Sequence, residues 1–357
     1  MKFSAFDDFV DELKGGARLC VMPVPRLVLD HKIDALKGFV FYPASTLDLE
    51  ELRIVWVPGD EFARIMAKGK DTVHVEGSDL EWFKSASTRL TVEHFQKHAL
   101  VAFTSPVNWE VFLSGDHTYH CDLLREMSEH AETAMDLLRF DFCRLHLPDT
   151  LPGRAGTFDF ESPFSGALFY TLEDHESYIV GGQIVTHHLV AGLGLEISAY
   201  TGTRQIGKAE TGNVVRRGLE LYSAAMESNS LTSKFVQCMS LLEFLAFPDD
   251  YMQMKKVKRE IAAHVAGSPL EYQAILDDIE QLTSFKDGDG RQIGLRTCIV
   301  HHGSRFETLV PDKRDQEAIF ERLEKYIGKT LSDLITLSDQ PWQAVEAFRI
   351  GRKPSNK

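Results

Sequence analysis

The sequence predicts a strand-rich α+β domain followed by an all-α helical bundle. Three observations predict this division. From about residue 19 to 115, short apolar or alternating runs are broken by Gly, Pro and Asp, the punctuation of strands. A long amphipathic helical pattern and further strand signals follow, to about residue 205. Beyond about Gly212 the periodicity becomes almost continuously helical. The expected boundaries are a strand-rich domain over 1–205, a bundle over 212–340 and a C-terminal extension over 341–357.

In the first domain the strand signals are LCVMPVPRLVL, GFVFYPA, LRIVWVPGD, DTVHVEG and ALVAFTSP. The segment DLLREMSEHAETAMDLLRFDFCRL repeats apolar residues at helical spacing, among them Leu123, Leu124, Met127, Met135, Leu138 and Phe142, and predicts a long helix. DTLPGRAG breaks it, because Pro152 and two glycines do not continue a helix. SGALFYTL, YIVGGQIVTHHLVAG and LGLEISAY read as later strands.

In the second domain VVRRGLELYSAAMES and SKFVQCMSLLEFLAF are amphipathic, with Ser230 or Thr232 as N-cap of the latter and Pro248 ending it. MKKVKREIAAHVAG and PLEYQAILDDIEQLTSF are separated by Gly267, Ser268 and Pro269. RQIGLRTCIVHH and KRDQEAIFERLEKYIGKTLSDLITL complete five or six helices, the arithmetic of a bundle.

The 357 residues are 43% hydrophobic and 26% charged, which describes a globular protein with a full core and excludes a disordered chain. No apolar run approaches the ~20 residues that span a bilayer. The N-terminus MKFSAFDDFVDELKGG lacks the basic start and apolar block of a signal peptide. No membrane association and a cytoplasmic location are therefore expected. Cys20, Cys121, Cys143, Cys238 and Cys298 are scattered and never form CxxC, so neither a disulfide framework nor a thiolate metal site is indicated.

The net charge of −14 excludes a protein coated in nucleic acid, yet it is unevenly spread. Residues 1–210 hold 19 basic against 32 acidic side chains, while 211–357 hold 20 against 21. The second part contains the basic run Lys255, Lys256, Lys258 and Arg259 and the tail Arg349, Arg352, Lys353 and Lys357. Each is either a local contact for an RNA backbone or a solvated helix face and a frayed tail.

The most informative stretch is LRTCIVHHG, from Leu295 to Gly303. On a helix, Leu295, Ile299 and His302 fall within one ~60° sector, which places His302 on the apolar stripe as a packed or capping residue. Arg296 and His301 lie about 140° apart and flank one face. Gly303 suits the left-handed position that closes a helix, and the negative end of the helix dipole favours imidazolium at His301. An always-charged guanidinium and a titratable imidazole are the minimum equipment for holding a phosphate and moving a proton. Glu243 lies on the margin of the stripe Phe235, Met239, Leu242 and Ala246. A glutamate there is either a partner that orients Arg296 or a snorkelling surface side chain.

With those residues in place, VVRRGLELYSAAMESNSLTSKFVQCMSLLEFLAF followed by a charged helix and LRTCIVHHG resembles the Apea-like branch of the HEPN domains over roughly residues 212–340. That family pattern is a four-to-five-helix bundle with a Leu-Glu-x-Leu element and a later Arg-x4-6-His motif. The resemblance implies a metal-independent, cofactor-free endoribonuclease acting as a homodimer, with two motifs meeting at the interface and a role in prokaryotic defence or toxin-like RNA cleavage. By the same resemblance Arg296 clamps the scissile phosphate and His301 moves a proton, leaving a 2′,3′-cyclic phosphate and a 5′-hydroxyl. Family members often carry Asn or Asp after the arginine. Here Thr297 stands there, an i, i+4 neighbour of His301 that can orient the ring.

Other motifs carry less. GTRQIGKA, from Gly202 to Ala209, fits Gly-x4-Gly-Lys, but Ala209 replaces the hydroxyl that holds magnesium, so a linker is the better account. His117, His120 and Cys121, with His130, fit no zinc spacing. His187 and His188 point to opposite faces of a strand. DGDGRQ, from Asp287 to Gln292, lacks the twelfth-position glutamate of a calcium loop and reads as a turn. No metal site is expected. Two rivals to the nuclease remain: a non-catalytic HEPN module that binds RNA, a nucleotide or a protein partner, and a structural assembly protein that dimerises through its helices.

Overall fold

The computed structural model describes residues 2–49, 53–55, 92–115, 117–146, 150–158, 165–173, 176–182, 194–200, 202–228, 230–286, 289–290 and 292–354. The chain divides into two units, one of residues 1–138 and 149–204, the other of residues 139–148 and 205–357. The predicted strand DTVHVEG, His187, His188 and Lys357 lie outside the described residues.

The first unit is built on a seven-stranded sheet. In chain order its elements are α1 (Ala5–Lys14), β1 (Arg18–Val24), β2 (Leu27–Leu29), β3 (Ile33–Leu36), β4 (Phe39–Tyr42), β5 (Arg53–Val55), α2 (Val92–Gln96), β6 (Ala99–Ser105), α3 (Trp109–Ser114), α4 (His117–Phe142), β7 (Ser165–Thr171), β8 (Glu176–Gly182) and β9 (Leu195–Ile197). The sheet order is β3-β4-β6-β1-β7-β8-β5, antiparallel except for β5 on β8. The short β2 pairs separately with β9, in parallel.

Every residue of β1 is buried because both faces of the sheet are covered. Leu19 and Val21 face a core with Phe9 and Leu13 of α1, Leu100 and Tyr170. On the opposite pleat, Phe169 meets Phe112 of α3, and Phe103 meets His130 of α4. A strand buried on both sides reads as a continuous apolar run, which is how LCVMPV reads.

The second unit is helical: α5 (Glu210–Glu227), α6 (Leu231–Ala246), α7 (Met254–Val265), α8 (Pro269–Thr283), α9 (Leu295–His302), α10 (Phe306–Leu309), α11 (Lys313–Thr336) and α12 (Trp342–Ile350), with a hairpin of β10 (Ser284–Lys286) and β11 (Gln292–Gly294) before α9. Helices α5, α6, α7 and α11 pack on one another around Val215, Leu219, Phe235, Leu242, Ile261, Leu323 and Leu331. Ser230 caps α6, its hydroxyl accepting from Ser233 N at 3.3 Å, and Asp312 caps α11, accepting from Arg314 N at 2.7 Å.

Two sequence expectations change here. Gln292 to Gly294 were expected inside a helix and instead form β11, because they pair with Ser284 to Lys286 across the turn. Residues 341–357 were expected as a C-terminal extension whose basic residues either meet an RNA backbone or fray, yet 342–350 form α12, which packs on α7 and α5. Arg349 is the reason: only 2% exposed, it donates to Leu245 O at 2.7 Å and Ala246 O at 2.8 Å. Those are orphan carbonyls at the end of α6, and a buried guanidinium satisfies them. Among the described residues, no helix is long and apolar enough to cross a membrane.

Candidate functional site

Helix α9 holds the predicted pair on the eight residues Leu295–His302, between the N-cap Gly294 and the C-cap Gly303. Gly303 adopts φ 68°, the left-handed conformation that stops the helix, and Ser304 N then donates to Cys298 O at 3.1 Å. Leu295 and Ile299 anchor one side of α9 in the core, while Val300 and His301 face solvent.

The helix is fixed along α6 at two points. Near its start, Arg296 Nη2 lies 2.5 Å from Glu243 Oε1. Beyond its end, Phe306 N donates to Thr232 Oγ1 at 2.9 Å, and the Phe306 ring stacks on Phe235 with centroids 5.3 Å apart. Residue 296 thus pairs near the C-terminal end of α6 and residue 306 near its N-terminal end, so α9 and α10 run antiparallel to α6. Thr232 Oγ1 also donates to Glu307 at 3.0 Å, which ties down the turn after Gly303.

The Arg296 and Glu243 side chains are 25% and 19% exposed, a partly buried ion pair at the edge of the helical core. Glu243 Oε1 is itself buried and meets the guanidinium as an ion pair, without the alignment of a hydrogen bond. A guanidinium has five N–H donors in a fork, and one carboxylate oxygen leaves several directed elsewhere. His301 lies five residues further along, a rise of about 7.5 Å, and is exposed.

The other predicted residues are placed differently. His302 was expected on the buried stripe and is exposed. The core contacts of α9 are made by Leu295 and Ile299, and His302 is the last residue of the helix, next to the closing Gly303. Thr297 is exposed, and no hydrogen bond joins it to His301 among the described residues. Lys255, Lys256 and Arg259 are exposed on α7, with Lys256 Nζ 3.6 Å from Met252 Sδ. Lys258 is half-buried, and desolvation lowers its pKa against the opposing pull of Glu280. No hydrogen bond or ion pair joins these four to Arg296, Glu243 or His301 among the described residues.

The remaining motifs are structural. The Gly207 N–H donates to Ser338 Oγ at 2.9 Å, and a Cβ there would collide with Asp339 and the Ser338 carbonyl. The segment resembling a phosphate loop is thus already filled by the turn between α11 and α12. His120 is buried with Nε2 2.8 Å from Phe112 O, and burial lowers the pKa of His130 between the Phe39 and Phe103 rings. Among the described residues no group of three His, Cys, Asp or Glu side chains is gathered to hold a metal ion.

Sequence reasoning missed the network that fixes the end of α6. Arg349 Nε donates to Nδ1 of the fully buried His264 at 3.1 Å, and Arg352 donates to His264 O at 2.8 Å. The available signal was the spacing of Trp342, Val345 and Arg349, in which an arginine occupies a core position.

Compared with family models, with curated proteins and with solved structures, the chain matches none of them.

Proposed function

We propose that the helical unit is a metal-independent endoribonuclease of the HEPN type. The observation that carries this reading is that Arg296, paired with Glu243 of α6, shares the short helix α9 with an exposed His301. A carboxylate that holds a guanidinium from one side fixes the direction of its free donors, and preorganised donors stabilise charge that develops on a phosphate. An exposed imidazole five residues further along the same helix is a group that can accept and return a proton.

In the proposed reaction His301, acting as base, takes the proton from a ribose 2′-hydroxyl, whose oxygen attacks the adjacent phosphorus. The bond from phosphorus to the 5′-oxygen breaks, and that oxygen leaves with a proton supplied by the imidazolium of a second motif. The products are a 2′,3′-cyclic phosphate and a 5′-hydroxyl. Arg296 neutralises the phosphoryl oxygens in the transition state. The two-motif arrangement implies a homodimer. Lys255, Lys256 and Arg259 would meet the RNA backbone, and a cytoplasmic role in defence or toxin-like RNA cleavage follows from the same reading.

A non-catalytic RNA-binding module is favoured by one observation, Thr297 at the position where Asn or Asp is frequent in the family the sequence resembles. The two readings separate when wild type and His301→Ala are incubated with mixed RNAs in excess chelator. Cleavage by wild type and a loss of roughly 100-fold or more in the variant support the enzyme. Equal products from both proteins, or none from either with RNA still bound, leave the binding module.

A further inference from the structure

A groove of about 380 Å³ runs beside helix α11 in the helical unit, within the roughly 300–1,000 Å³ typical of small-molecule sites. Lys325, Gly328 and Ser332 follow one another along its α11 wall, and Tyr222 of α5 closes it. At Gly328 an added Cβ would meet no atom within 4 Å, so internal packing does not require a glycine there. A glycine also weakens a helix interior. The space it leaves is part of the groove.

Tyr222 is 1% exposed, and its hydroxyl makes no hydrogen bond among the described residues. Burial and the nearby Glu324 push its pKa well above the usual phenol value, so it stays a neutral donor. A buried tyrosine hydroxyl ordinarily finds a partner. Here it lines an open groove.

The charges around the groove are unequally committed. Glu324 accepts from Leu145 N at 3.0 Å and meets Arg144 at 3.2 Å and His146 at 3.5 Å. Glu321 faces His146 at 3.9 Å, and Lys329 is held by Asp333 at 2.6 Å. Lys325 has no ion pair and Ser332 Oγ no hydrogen bond among the described residues. Asp141 also lines the groove and is engaged in an interaction of its own, so the groups without a partner among the described residues are donors: a phenol, an ammonium and a hydroxyl.

We propose that this groove binds a compact organic anion, a carboxylate or a phosphate monoester, which accepts from Tyr222, Lys325 and Ser332 and lays its body over Gly328. The site is separate from the Arg296 and His301 pair and does not depend on RNA cleavage.

The test is calorimetric titration of the full chain with phenyl phosphate, benzoate and neutral benzyl alcohol. Saturable binding of either aromatic anion is expected, the tighter one identifying the head group. Binding should weaken at least tenfold in Tyr222→Phe and in Lys325→Gln, be lost in Gly328→Leu and persist in His301→Ala. Tyr222→Phe removes one oxygen and keeps the ring, so it serves if Gly328→Leu fails to fold. Failure of both anions to bind, equal binding of benzyl alcohol, or undiminished binding in Tyr222→Phe would overturn the assignment.

Discussion

Arg349 donates its Nε hydrogen to Nδ1 of His264 at 3.1 Å, inside the helical unit, so the imidazole must be neutral to accept it. Burial, reinforced by Arg349, Arg352 and Lys329, drives the His264 pKa down to about 2. The folded value is thus below the unfolded one of about 6.5. The unfolded chain binds the proton first as pH falls, so this stability is complete above about pH 6.5 and is lost below it, by up to about 1.4 kcal/mol per pH unit. Urea unfolding at pH 7.5 and 5.5 should reveal that slope. It should shrink in His264→Asn, which keeps an acceptor and cannot titrate.

Arg349→Met should be among the most damaging single changes in the helical unit. It keeps the stem over Trp342, whose ring lies 5.2 Å from the guanidinium carbon, but strips the donors from Leu245 O, Ala246 O and His264. Buried acceptors left without partners cost about 1–3 kcal/mol each. A loss of about 3 kcal/mol or more is expected from the urea midpoint, whereas exposed Lys255→Met should change stability by less than about 0.5 kcal/mol.

Two glycines should respond oppositely to alanine. Gly328→Ala adds a methyl group into open space in a helix interior and should stabilise the protein by about 1 kcal/mol. Gly207→Ala drives a methyl group into Asp339 and the Ser338 carbonyl and should destabilise it by about 1–3 kcal/mol or more. Thermal unfolding of the two variants checks both signs.

Glu243→Gln separates holding from folding. A partly exposed ion pair contributes up to about 1 kcal/mol, so unfolding free energy should fall by no more than that. If the carboxylate aims Arg296 at a phosphate, RNA cleavage should fall by up to about 100-fold, because small misplacements of a catalytic group are costly. Cleavage unchanged against a matching urea midpoint would make Glu243 purely structural.

The strands around β1 were legible because burial on both faces leaves an uninterrupted apolar run, and α6 because Phe235, Met239, Leu242 and Ala246 repeat at helical spacing. Helix α12 was not, since a buried Arg349 replaces the apolar residue that periodicity seeks. The start of α9 was misplaced because Gln292 to Gly294 take their structure from a strand partner across a turn, a tertiary choice. For the site, the residue types and spacing of Arg296 and His301 were visible in the chain. That His302 as well as His301 would be exposed was not, because only Leu295 and Ile299 of α9 reach the core. Neither was the groove at Tyr222, whose residues come from segments distant in sequence.

The most direct measurement is the termini left on a defined RNA by wild type and by Arg296→Ala, in excess chelator. The account predicts 2′,3′-cyclic phosphate and 5′-hydroxyl ends from wild type, formed at least ~100-fold more slowly by the variant. Equal rates from the two proteins, or 3′-hydroxyl and 5′-phosphate ends, would contradict it.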